Sequence, residues 1–345
     1  MRELTLLLLL KDRESFSKRW ISYFEKSSLN INVFIADGSK SKNDLFNHNE
    51  LFNYHYFGPD KDFTTYRNKV IQSLKMINTK YVLFASNDDF YIKSGIQQAL
   101  KILKRNKNYS ACRGLIKSFR VTSKDGLFGK LVLNEDLYTS TSILGNNASK
   151  RILEFINKSN SIWHDVVKKE EILSAWSNSK KYKFENILIH DLYTYFYISS
   201  RGKCIRSKYI YMLHQNHPDS LGHDSTYEDI EFKIAQIISK TSMGKNFVNE
   251  ICRLANITTK NKANKFKSEF LAHFYSEYLL KRIENKQALN LKKTFMKKIK
   301  SNLASKYAKL YSIYSFLKYI QNPKNQKNIN KYNLNLIDDF LRKRI

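Results

Sequence analysis

The chain is short of the residues that break or lock a backbone: 345 residues include only 10 glycines and 3 prolines. Collagen-like and low-complexity linker architectures are excluded on that count. Cysteine is as scarce, and Cys112, Cys204 and Cys252 are far apart with no CxxC pair. A zinc knuckle or disulfide framework is therefore not expected, and a reducing cytoplasm is. No apolar run reaches the length of a membrane-spanning helix. The run Leu4–Leu10 follows Glu3 and passes straight into Lys11-Asp12-Arg13-Glu14 without a small-residue cleavage site, so it reads as a strand and not as a signal peptide. Neither a Gly-x-Gly-x-x-Gly nor a GxxxxGK[ST] segment occurs, which leaves dinucleotide and P-loop chemistry without its phosphate cradle. Acid is scarce too: 31 Asp and Glu face 60 Lys and Arg, a formal net charge of +29.

What is present points to a globular chain, with 42% hydrophobic and 14% aromatic residues. The positive excess suits an anionic partner, whether nucleic acid, an acidic membrane leaflet, or an anionic glycan or nucleotide. A Lys-rich background composition explains the same excess. Because the basic residues are scattered and no recognised motif interleaves them with aromatics, nucleic acid is not the expected partner. The expected location is cytoplasmic, with peripheral attachment to the inner face of a membrane as the further option.

The first hundred residues alternate in period. Leu4–Leu10 is a buried strand, and a helix over about 15–26 places Phe16, Trp20, Ile21 and Phe24 on one face. Strands follow at 31–36 and near 54–57, a helix at about 65–76, a strand at 80–85 and a helix at about 95–104, with Ser94 as its expected cap. That β-α-β-β-α-β-α order predicts an α/β protein whose mostly parallel sheet is flanked by helices. Residues 110–215 complete the same domain, and the chain from about 227 is expected to be helical. A basic amphipathic tail begins at Lys292, readable as a membrane-surface or partner-binding helix or as a solvated cap. The expected domains are 1–225 and a basic helical region over 226–345.

Ligands of such sheets bind at the carboxyl ends of the strands, and three polar interruptions fall there: Lys11-Asp12-Arg13, Asp37-Gly38-Ser39 and Asn87-Asp88-Asp89. Adjacent Asp88 and Asp89 repel one another, so a divalent metal or a cationic side chain is the natural compensation; helix capping is the alternative. Asp37 and Gly38 suit a base contact or an ordinary turn. Arg67 suits a phosphate or solvent. Asp191, between Ile187-Leu188-Ile189 and an expected helix over 192–199, suits a general base or a helix cap. Trp163-His164-Asp165 joins an aromatic to two polar groups, as sugar sites do. His214 and His217, with His223 and Asp224 beyond, match no recognised zinc spacing.

In order and spacing these segments resemble the GT-A glycosyltransferases, specifically the family 2-like enzymes of bacterial surface-polysaccharide gene clusters, over about residues 3–217. The resemblance runs through Lys11-Asp12-Arg13, Asp37-Gly38-Ser39, Tyr66-Arg67-Asn68, Tyr81-Val82-Leu83-Phe84 leading into Asn87-Asp88-Asp89-Phe90, then His190-Asp191, Gly202-Lys203 and His214. It implies a GT-A fold and transfer of a sugar from a nucleotide-sugar donor to a glycan or lipid-linked acceptor, with inversion. Asp12, Asp37, Gly38, Arg67, Asn87, Asp88 and Asp89 would form the donor site, Trp163, His164 and Asp165 the acceptor site, and Asp191 would be the base. Asp89 and His214 would meet Mg²⁺ or Mn²⁺. Two departures stand out. Asn87 occupies the first position of the usual Asp-x-Asp, leaving room for a metal-independent site or a CMP-sugar donor. His190 replaces the first member of a Glu-Asp pair. A nucleotidyltransferase is the alternative enzyme, though it lacks its Gly-rich loop here; a basic nucleic-acid- or membrane-binding protein without catalysis is the alternative class.

Overall fold

The computed structural model describes residues 2–27, 29–46, 51–123, 125–136, 141–158, 161–217, 230–280, 329–331 and 334–343. Over the first hundred residues the predicted elements are present in order, each within about two residues of expectation, with one short unpredicted strand, Phe90–Tyr91, added before the last helix. The first half comprises β1 (Leu4–Leu10), α1 (Glu14–Lys26), β2 (Asn32–Asp37), β3 (Asn53–Tyr56), α2 (Phe63–Met76), β4 (Tyr81–Ala85), β5 (Phe90–Tyr91) and α3 (Lys93–Arg105). The second half adds β6 (Tyr109–Val121), β7 (Leu131–Asp136), α4 (Ala148–Lys158), β8 (Val166–Lys168), α5 (Lys169–Lys181), α6 (Ile187–Arg201) and β9 (Lys203–Gln215). After it come α7 (Ile230–Lys240), α8 (Ser242–Leu254), α9 (Lys260–His273), a π-helical turn at Phe274–Leu280, and α10 (Asn335–Arg342).

One sheet carries the architecture, in the order β3-β2-β1-β4-β8-β6-β9-β5, with β7 on β6. Strands β1, β2, β3, β4, β6 and β9 point one way, while β5, β7 and β8 run against them. This is the α/β, mostly parallel sheet the sequence predicts. β1 is an unbroken apolar run because it lies between two parallel strands and under helices on both faces. Its alternate residues divide between two cores. Leu4, Leu6, Leu8 and Leu10 join Trp20 of α1, Ile96 of α3 and Phe340 of α10. Leu7 joins Leu74 of α2, Trp176 of α5 and Phe196 of α6. Each fully buried leucine contributes about 1.5–3 kcal/mol, so this seven-residue strand is a principal anchor of the fold.

Register decides what meets at the carboxyl edge. Leu10 pairs with Asp37, Asp37 with Tyr56, and Leu8 with Ala85. The segments after β1, β2 and β4 therefore emerge side by side. β8 is reversed between β4 and β6, with Val82 opposite Val167. Its preceding residues, His164 and Asp165, consequently run past the same edge. β5 is reversed too, and pairs Phe90 with Leu213, which sets Asp89 beside His214.

Two local expectations change. α3 starts at Lys93 with Ile92 at its N-cap and no side-chain cap, so Ser94 lies inside the first turn. Gly95 is there for packing: a Cβ would stand 2.0 Å from the Ile210 carbonyl oxygen on β9. α6 begins at Ile187, where the Asn186 side chain accepts from the amides of Leu188 and Ile189; Asp191 is therefore in the body of the helix and caps nothing. The expected division at 225/226 falls among residues outside those described, as do His223, Asp224 and the basic tail from Lys292 as far as residue 328. On the described side of that division, α8 and α9 bury Phe247 and Phe270 against Phe196 of α6. Among the described residues no helix is long and apolar enough to cross a membrane.

Candidate active site

The loop after β1 is strained into place. Asp12 and Arg13 both take positive φ, 55° and 62°, a region costly for residues with a Cβ and found where function over-determines the backbone. Asp12 is tied across to the loop after β2: its amide donates to Ser39 Oγ at 2.7 Å, and its Oδ1 accepts from the Lys40 amide at 3.2 Å. The strain aims Arg13 at the acidic turn, where its Nη1 lies 2.8 Å from Asp88 Oδ2.

The turn after β4 is held from three sides. Asn87 Nδ2 donates to Ser17 Oγ at 3.0 Å and to the Arg13 carbonyl at 3.4 Å. This explains the departure from Asp-x-Asp: the position supplies donors, which a carboxylate lacks. Asn87→Asp is expected to lose the hydrogen bond donated to Ser17 Oγ and to add a third buried acid beside Asp88 and Asp89, lowering stability by about 1–3 kcal/mol, readable in urea unfolding. Beneath the turn Arg19 is almost fully buried. It donates to the carbonyls of Asp88 at 3.1 Å and Leu127 at 2.8 Å and to Gln215 Oε1 at 2.6 Å. Burial pushes its pKa down to about 10, against the pull of Asp88 and Asp89, so it remains cationic at neutral pH.

The two carboxylates then diverge. Asp88 Oδ2 accepts from Arg13 and from His217 Nε2, the latter at 2.9 Å. Burial raises its pKa, but the His217 hydrogen bond and the Arg13 charge win and hold it below the ordinary value. Asp89 Oδ1 accepts from the Gln215 amide at 3.2 Å and stands 2.9 Å from His214 Nδ1. There burial wins and the pKa rises despite His214. The Asp89 charge in turn lifts His214 to about 9 against its own burial. Arg13 beside Asp88 and His214 beside Asp89 are the basic groups that face the acidic turn. Asp88 Oδ1 and Asp89 Oδ2 are buried without a hydrogen-bond partner among the described residues.

His164 completes the group. One ligand atom each from Asp89, His164 and His214 lie within 4.8 Å of one another. Burial drives His164 down to about 3, which keeps its imidazole neutral and able to ligate. The donor set suits a cation: an orphaned carboxylate oxygen, a neutral imidazole, and a second imidazole that need only lose a proton. The sequence puts Asp89 and His214 together but assigns His164 to an acceptor. Only the reversed direction of β8 brings it to Asp89 and His214.

The other expected residues fall in different places. Asp37 is fully buried, with Oδ1 accepting from the Ser39 amide at 2.9 Å and Oδ2 from the Tyr54 hydroxyl at 2.7 Å. A Cβ on Gly38 would lie 2.3 Å from the Asp60 carboxyl carbon; the glycine makes room for Asp60, which pairs with buried Lys69 at 2.5 Å. A cleft of about 370 Å³ opens beside this pair, between Phe57–Lys61 and α2. Arg67 is buried over the Phe63 ring and donates to the Phe184 carbonyl at 3.1 Å; its hydrogen bond props the α5–α6 loop and not the acidic turn. Trp163 is half-buried between Phe84 and Trp176. Asp165 is sealed between Arg206 at 2.6 Å and Arg113 at 3.8 Å, so its carboxylate faces the sheet and not an acceptor.

Asp191 is half-buried and makes no hydrogen bond or ion pair among the described residues. Burial raises its pKa to about 7. It shares a helix face with Thr194 and Tyr195, and Tyr195 meets Ser161 at 3.4 Å, in the loop that carries Trp163 and His164. Its neighbour His190 turns inward, 4.2 Å from the Trp176 ring and 2.6 Å from Ser179 Oγ. A glutamate at 190 would be buried among aromatic rings, which accounts for the histidine there.

No family model matches the chain, and no curated protein matches it. Among solved structures it is similar to S. aureus TarS, with TM-score 0.44 and 12% identity over 79% of this chain and 44% of that one. It is also similar to TarS 1-349 in complex with UDP-GlcNAc, with TM-score 0.46 and 12% identity over 79% and 73% of the two chains. A further match is TarS 1-349, with TM-score 0.44 and 9% identity over 83% and 92%. The chain thus spans less than half of the first TarS chain. Likeness at this level establishes no family.

Proposed function

We propose that this chain is a GT-A-type glycosyltransferase that moves a sugar from a nucleotide-sugar donor to a hydroxyl of a glycan or lipid-linked acceptor, inverting the anomeric centre. The observation that carries the reading is the meeting of Asp89, His164 and His214 at the carboxyl edge of the sheet, with Asp89 Oδ2 buried and unpartnered. A buried carboxylate oxygen with no partner is costly; a bound cation would relieve that cost.

In this reading Asp89, His164 and His214 hold a divalent cation that, when bound, neutralises charge on the departing nucleotide. Two imidazoles and one carboxylate favour Mn²⁺ over Mg²⁺, which prefers oxygen ligands. Arg13, at the cluster, takes the phosphate-facing role that the sequence suggested for Arg67. The nucleobase lies toward Asp37 and the cleft beside Gly58 and Asp60. Asp191 accepts the proton of the acceptor hydroxyl, and a pKa of about 7 is near the optimum for a base working at neutral pH. Trp163 offers an aromatic wall to the sugar.

Thermal-shift measurements against UDP-, GDP-, dTDP- and CMP-sugars, each with and without Mn²⁺, test the reading. One nucleotide is expected to raise Tm by several degrees with Mn²⁺ present, since a ligand at 100 times its Kd adds about 2.7 kcal/mol. Stabilisation by none of the four, with or without metal, would count decisively against a nucleotide-sugar donor.

A further inference from the structure

A second cleft, of about 770 Å³, opens where the start of α4, the end of α6 and the α8–α9 turn meet. It lies on α6 some ten residues beyond Asp191, about 15 Å along the helix axis. Its character is unlike that of the metal group. Arg201, Arg253 and Lys262 border it together with the amides of Asn146, Asn178 and Asn256. Among the described residues no acidic side chain lines it. Arg253 is partnered by Glu250 at 2.8 Å, whereas Arg201 and Lys262 carry no ion pair among the described residues.

The helices reinforce that sign. α4 begins at the cleft, with Asn147 Oδ1 accepting from the Lys150 amide at 2.9 Å, and α9 begins there with no side-chain cap. Both present the positive end of a helix dipole. α6 would bring its negative end, but buried Arg151 covers it: Nε donates to the Ser199 carbonyl at 2.7 Å and Nη2 to the Ser200 carbonyl at 2.6 Å.

We propose that this cleft binds an anionic stretch of glycan, a part of the acceptor chain distant from the reacting hydroxyl. Primary amides both donate and accept, which matches vicinal sugar hydroxyls, and the unpaired cations match carboxylate or phosphate substituents. Nucleic acid fits less well, because among the described lining residues Tyr197 is the sole aromatic and is itself half-buried, so bases find little to stack on. The role as acceptor subsite rests on the glycosyltransferase reading; the binding itself does not.

Calorimetry on the full chain tests it with oligogalacturonate, its uncharged methyl ester, inorganic phosphate and oligouridylate as probes. Oligogalacturonate is expected to bind about tenfold or more tightly than its methyl ester, and Arg201→Gln with Lys262→Gln to remove that advantage. Both replaced side chains are exposed, so the double variant keeps the wild-type Tm. Undiminished binding by the variant overturns the proposal, as does no binding by the wild type, tighter binding of oligouridylate, or phosphate binding as tightly as the oligosaccharide. A donor-sugar thermal shift on the same samples separates the two readings. Oligogalacturonate binding without any nucleotide-sugar response leaves the cleft assignment standing and sinks the enzyme reading; the reverse pattern does the opposite.

Discussion

Asp191→Asn is expected to lower sugar transfer by roughly two to four orders of magnitude while leaving donor-induced stabilisation in place. The wild-type rate should climb with pH and level off above about 7, where Asp191 has lost its proton. The same shift fixes the sign of a stability effect. A folded pKa raised above 3.8 means that the folded state holds a proton the unfolded chain releases more readily. The associated stability is fully present below about pH 4 and is lost as pH rises through about 7. Three pKa units correspond to about 4 kcal/mol at most, and partial exposure of the carboxylate reduces this to about 1–3 kcal/mol. An asparagine side chain lacks the penalty, so urea unfolding should find Asp191→Asn equal to wild type at about pH 4 and more stable at about pH 8. A variant that is inactive yet more stable at alkaline pH is the signature of a base held in an unfavourable setting. Full transfer activity in the variant would end the assignment.

Asp89→Asn should have the second-largest effect. It keeps the shape and an acceptor for the Gln215 amide but removes the charge that lifts His214 to about 9. Mn²⁺ binding, followed by calorimetry or by the electron paramagnetic resonance of the free ion, is expected to fall at least tenfold. Transfer should fall by roughly 100-fold or more, the scale on which electrostatic stabilisation of a leaving group acts. His164→Ala separates ligation from charge: it removes an imidazole that is already neutral, and is expected to weaken Mn²⁺ while leaving metal-free nucleotide binding alone. Wild-type Mn²⁺ affinity in both variants would rule out this ligand set.

Much of this site could be read from local pattern, and the reason is the parallel half of the sheet. Where a strand is an unbroken apolar run, its end is marked by the first polar residues, and parallel neighbours bring their ends to one edge. Lys11-Asp12-Arg13, Asp37-Gly38-Ser39 and Asn87-Asp88-Asp89 were legible for that reason. What could not be read depends on direction. β8 is three residues long and reversed, and nothing within Trp163-His164-Asp165 tells which polar side chain faces Asp89 and His214 and which faces Arg206. The start of α6 was obscured differently: Ile187-Leu188-Ile189 is an apolar run without helical alternation, and the Asn186 cap was the overlooked signal. Arg67 was misplaced because a guanidinium at a helix start suits a phosphate and a loop carbonyl equally well.

The packing of α10 bears on when the site can form. Asp338 accepts from the Leu131 amide across 207 residues of sequence, Leu341 accepts from the Gly129 amide, and Phe340 packs edge-on against Phe90, the residue that follows Asp89. A nascent chain therefore emerges with its acidic turn lacking part of its support, and gains that support only when a segment made much later docks. Partly synthesised copies would carry Asp88 and Asp89 without the finished support of their turn, so any binding at this turn should arrive late during synthesis.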